Sequence, residues 1–247
     1  VALAPQRGGV VAQTASREVA LSPAVTRAVL ISFALSGAAG LVNQVAWSRS
    51  FGLFTGSTTY AFSLIVCAFI AGLALGGHVF ARAVDKAADR PALLGLINLG
   101  IAFSCAVLIP IQGRLPLWLI EPIAARAGSF AATQFFVFGV LFSLILLPTV
   151  LMGGTYTVTT RALSASPEEA PKMVGRAYAW NTGGAIVGSL AGGMVLIPWL
   201  QLSGALWAAV ALNLAAAAVV LGQRNRLAWA LPLVALLLHD LHAYGAL

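Results

Sequence analysis

Charged residues punctuate this chain at intervals that match membrane spans. A helix that crosses the hydrocarbon core needs about 20 consecutive, mainly apolar residues. Arg27 to Arg49 encloses 21 uncharged residues, Arg49 to Arg82 encloses 32, Arg90 to Arg114 encloses 23 and Arg126 to Arg161 encloses 34. Each gap predicts one helix. Arg176 to Arg224 encloses 47, and its middle, Pro198 to Gly204, carries the Pro and Gly of a turn beside an interfacial Trp199, so it predicts two. After Arg226 only 13 uncharged residues precede Asp240; a seventh helix there is short and contains Pro232. The expected spans are 28–48, 57–81, 91–111, 132–160, 177–198, 204–222 and 227–241. The fold class is therefore an all-α, polytopic membrane helix bundle of six to seven transmembrane helices. Residues 1–24 are expected as a mobile tail ahead of a bundle at 25–247, and their polar start lacks the apolar core of a signal peptide.

Composition agrees with the pattern. The chain is 60% hydrophobic and 9% charged, with a mean hydropathy of +0.94, against about a quarter charged in ordinary soluble domains. The +7 net charge is spread over short loops, which favours an anionic lipid surface and gives no run that would suit nucleic acid. Assigned to alternate sides, eleven Lys and Arg fall on one side and three (Arg49, Arg114, Arg126) on the other. The positive-inside rule then puts the N-terminus in the cytoplasm and the 112–131 connection outside. Leu115 to Ile120 in that connection reads either as an interfacial segment or as a loop on helix ends.

Small residues are the expected packing device, since close backbone approach supplies dispersion contacts where lipid gives helices little hydrophobic drive to associate. The candidates are Gly72 and Gly76 in helix 2 and Gly184, Gly188 and Gly192 in helix 5, which suggests that helices 1, 2 and 5 form the packed centre. Pro148 followed by Gly153-Gly154 predicts a kink or hinge in helix 4, and the alanine run around Ala216 is expected to face lipid.

Candidate chemistry is sparse. Cys67 and Cys105 offer neither a disulfide framework nor a CxxC site. His78, His239 and His242 read as interfacial rather than haem ligands. All seven acids fall in loops, tails or helix ends, which weighs against a carboxylate-driven antiporter. No nucleophile, base or metal cluster points to catalysis, and no cofactor is implied. The interior polar residues are Asn43, Gln44, Asn98, Gln134, Asn181 and Asn213, each able to bond across helices. Two groups combine polar and aromatic side chains: Asn43, Gln44, Trp47 and Arg49 at the outer end of helix 1, and Tyr178, Trp180 and Asn181 at the cytoplasmic start of helix 5. They lie at opposite ends of their helices. With Tyr60 they form the candidate polar and aromatic cluster.

Several motifs together resemble the membrane region of fused spermidine synthase-like proteins. They are Ser36-Gly-x-x-Gly-Leu through Val-Ala-Trp47-Ser-Arg49, Gly56 to Phe62, Gly72-Leu-Ala-Leu-Gly-Gly77, Leu147-Pro-Thr-x-Leu-Met-Gly-Gly154, and Gly175 to Leu190 with Pro198. The likeness covers about residues 28–222. It implies a major-facilitator-like helical region that stands ahead of a soluble aminopropyltransferase-type domain, and a place in the bacterial inner membrane. The Arg82 to Pro91 connection is similar to the facilitator signature loop in degenerate form. Two departures matter. Gln44 stands where relatives are expected to carry Glu, and these 247 residues hold no glycine-rich strand-to-helix turn followed by an acid, the device that would bind a nucleoside donor. The expectation is a non-catalytic membrane module, an anchor or subunit partnered by lipid and by other membrane subunits or a separate soluble domain. The alternative is a small-solute carrier for amines or polyamines, with cation–π contacts from Trp47, Tyr60 and Trp180.

Overall fold

A computed structural model describes residues 21–55, 59–164 and 168–223, and all regular structure in them is helical. Helix α1 spans Pro23–Thr55, α2 Thr59–Asp85, α3 Arg90–Ala124, α4 Phe130–Leu163 and α5 Ala170–Ala191. A π-turn at Gly192–Leu196 leads into α6, Ile197–Gln223. Five stretches are long and apolar enough to cross a membrane, the last being the joined run Ala170–Gln223. Residues 227–241, where a seventh helix is expected, lie outside the described residues.

The contacts fix how the helices run. Gly184 lies against Ala34, Gly188 against Ala38 and Gly192 beside Val42, numbers that rise together, so α5 runs parallel to α1. On α2 and α4, Gly72 meets Thr149, Gly76 meets Val150 and the Thr157 hydroxyl donates to Gly77 O at 3.4 Å; this pair is also parallel. Helix α4 runs against both α1, where Phe33 pairs with Tyr156 and Gly40 comes near Met152, and α3, where Arg90 Nη1 donates to Arg161 O at 3.1 Å and Gly100 comes near Leu151. Gly95 of α3 meets Leu221 of α6, and Ala92 and Leu99 cluster with Ala217 and Leu221, so α6 runs against α3. It therefore also runs opposite to α5, and the 54-residue stretch folds back on itself.

The reversal falls at Gln201, with φ 61° and ψ −176°, a conformation that is essentially confined to glycine. The turn expected between Pro198 and Gly204 is present, but the strained position is Gln201 and not Gly204. Just before it, Pro198 has no N–H to donate and its ring crowds the carbonyl four residues back. The π-turn widens the helix here, with Ile197 N–H reaching Gly192 O, five residues behind.

Several expectations change. The glycine faces join α1 to α5 and, separately, α2 to α4, so there is no common centre of helices 1, 2 and 5; the most buried long helix is α3, packed on α4 and α6. Helix α3 runs through Leu115–Ile120 to Ala124, with Leu115 and Leu119 in the core, so that segment is neither a loop nor a separate interfacial helix. Helix α4 is continuous across Pro148. Gly153 and Gly154 serve there as sites of approach for Leu73 and Phe80. Ala216 is fully buried and does not face lipid, because α6 turns that side toward the bundle. Helix α1 starts at Pro23, two residues inside the expected tail.

Candidate polar cavity within the helix bundle

A half-open cavity of about 410 Å³ lies where α1, α2, α4 and α5 meet. Its polar lining comes from Ser36 of α1, from Thr155, Tyr156 and Thr157 of α4, and from Asn181 of α5. The glycines make room for it. Gly37 lets Asn181 come close to the α1 backbone, and a Cβ there would collide with the Asn181 side chain. The Thr155 hydroxyl donates to Met152 O at 2.6 Å and the Thr157 hydroxyl to Gly77 O, which leaves their oxygens able to accept. Phe33, Phe69 and Tyr156 are its aromatic members, and Tyr156 and Ile70 stand exposed at its open side.

Of the eight residues expected as a polar and aromatic cluster, only Asn181 lines this cavity. Asn43 is buried and its Nδ2 points to Cys105 Sγ at 3.6 Å. Gln44 is half-buried with Oε1 unpartnered. Trp47 is fully buried, edge-on to Phe69 with ring centroids 6.4 Å apart. Arg49 is exposed. Tyr60 is exposed and meets Phe130 edge-on at 5.5 Å. Tyr178 is exposed, while Trp180 borders an apolar groove between α5 and α6 over α1. The three aromatic residues expected to make cation–π contacts therefore sit in three separate places.

The amides behave differently from the expectation of bonds across helices. Asn98 Nδ2 donates to Leu94 O at 2.9 Å and Asn213 Nδ2 to Ala209 O at 3.0 Å, each within its own helix; Asn43 alone of these three reaches another helix. Ser36 and the Thr155 to Thr157 run were not among the expected site residues. The signal was present: Gly-Gly-Thr-Tyr-Thr is a polar run inside the longest single-span gap, directly after two glycines.

Outside the apolar region, Arg161 pairs with Asp85 at 3.6 Å, and Asp89 caps α3 by accepting from Ala92 N–H at 3.1 Å. With the Arg90–Arg161 bond, the ion pair holds the ends of α2, α3 and α4 together. Among the described residues no group of three His, Cys, Asp or Glu could hold a metal. No family model, curated protein or solved structure matches this chain.

Proposed function

We propose that this chain is a non-catalytic membrane module that acts as the anchor or a subunit of a larger membrane assembly, in keeping with its resemblance to the membrane region of spermidine synthase-like proteins. In this reading α1 to α6 make six crossings, residues 227–241 a seventh, and the N-terminus is cytoplasmic. The observation that supports it is the half-open cavity. A carboxamide, and hydroxyl oxygens left only to accept, find no partner in lipid tails, so the side bounded by Ile70 and Tyr156 suits a protein cover. Native mass spectrometry of the chain released from its own membrane should find it with a second protein at fixed stoichiometry; release of the lone chain under conditions that preserve known complexes would sink the proposal.

The cavity volume also supports a second reading, a small-solute carrier, since it falls within the range of about 300 to 1,000 Å³ typical of ligand sites. Proteoliposomes holding the chain would then take up radiolabelled spermidine saturably, and Asn181→Leu would abolish the uptake. Uptake equal to that of empty liposomes removes the carrier.

The orientation has its own test. With the N-terminus inside, a cysteine placed at Glu121 should react with an impermeant maleimide only from the outer face. Reaction only from the cytoplasmic face inverts the topology.

A further inference from the structure

A second set of polar groups, which shares only Ser36 with the cavity, lies between α1, α3 and α6. On α1, Ser36, Asn43 and Ser50 are buried and spaced by seven; on α3, Asn98, Cys105 and Gln112 are buried with the same spacing. Residues seven apart stay on nearly one side of a helix. The Asn43–Cys105 contact sets these two parallel helices in register, which places Ser36 level with Asn98 and Ser50 level with Gln112. Asn213 of α6 joins them: Ala209, one turn before it, packs with Ala39 and Val42, while Ala217, one turn after it, packs with Ala92 and Leu99. It therefore looks into the seam between α1 and α3.

Every carboxamide in this seam is short of donors. Oδ1 of Asn43, Asn98 and Asn213 is buried with no partner, and both ends of the Gln112 amide are unpartnered. The three asparagines are fully buried and come from three different helices. Each asparagine nitrogen spends one of its two hydrogens, on Cys105 Sγ, Leu94 O and Ala209 O, and no amide of the seam reaches another's oxygen. A buried amide oxygen without a donor is costly to leave so. Several along one seam, with a Gln112 amide that lacks both kinds of partner, call for a small ligand that donates and accepts.

We propose that the α1/α3/α6 seam holds a file of bound water molecules that donate to Oδ1 of Asn98, Asn213 and Asn43 and reach Gln112. Water fits the chemistry: it donates two bonds, carries no charge into a seam without acids, and needs only two to four polar partners. From Asn98 to Gln112 the file spans about 21 Å, fourteen residues at 1.5 Å each. Ser36 belongs both to this seam and to the lining of the half-open cavity, which gives the water a way in. The file does not depend on the assembly reading, because all its members lie within this one chain.

Synchrotron radiolysis of the intact chain in lipid nanodiscs tests it, because hydroxyl radicals made from bound water oxidise the side chains they touch. Cys105, buried beside Asn43, is the reporter; Met173, at the polar start of α5, is the internal standard for bulk water. Cys105 oxidation should be clear in the unaltered chain and fall several-fold in Asn213→Leu and in Asn98→Leu, with Met173 oxidation unchanged. Two substitutions are used so that failure of either variant to fold leaves the other to decide. No Cys105 oxidation in the unaltered chain, or equal oxidation in the folded Leu variants, would overturn the proposal.

Discussion

Gly184→Leu and Gly153→Leu are each expected to weaken the bundle in detergent by about 1 to 3 kcal/mol, the range for overpacking a well-packed interior, and to do so toward the upper end. A Cβ on Gly184 would fall on the carbonyl oxygen of Ala34, and one on Gly153 on that of Leu73. Backbone cannot swing aside as a flexible side chain can, so the whole α1–α5 or α2–α4 pair must separate. Gly183→Leu is the control, because nothing lies within 4 Å of its added Cβ. Gly192→Leu should come between them, since its Cβ would meet Val42 Cα at an ordinary 3.4 Å. Thermal unfolding followed by intrinsic fluorescence orders the four variants. A Gly184→Leu chain as stable as Gly183→Leu would show that α1 and α5 do not pack as described.

Trp47→Ala should lower stability by about 3 to 5 kcal/mol, the usual cost of emptying a large aromatic site in a core. Trp47 is the largest fully buried side chain and meets Phe69 of α2 edge-on, so its loss opens a cavity between α1 and α2. Trp47→Phe should recover much of the loss. Tyr60→Ala should have a small effect, because Tyr60 is exposed and touches the exposed Phe130. The sequence sets these two residues in one candidate cluster, and the comparison separates a core role from a ligand role. If Trp47→Ala unfolds at the temperature of the unaltered chain, Trp47 is not the core residue described here.

The helices were legible in the sequence because uncharged gaps measure span length directly. Their ends were not. α3 runs on through Pro116 to Ala124 because Leu115 and Leu119 find the core, which no periodicity in an all-apolar stretch reveals. The glycines on α2 and α5 were legible as contact positions, but their partners were not: a small residue says that a backbone comes close and not which one. Gly153 and Gly154 illustrate the same ambiguity, read as part of a kink or hinge and found as a contact face for α2. The candidate site was less legible still. In a chain with so few polar residues, Asn43 and Trp47 draw notice by type, yet burial removes both from the cavity. Asn181 enters it because Gly37, on another helix, leaves it room.

The central claim is that a protein covers the open side of the polar cavity, and site-specific photo-crosslinking in the native membrane tests it most directly. A diazirine amino acid at Ile70, beside the opening, is compared with one at Leu147, an exposed apolar position of α4 that does not line the cavity. The account predicts a discrete protein adduct at position 70 and lipid adducts at position 147. Lipid adducts alone at position 70, in the same yield as at 147, would contradict it.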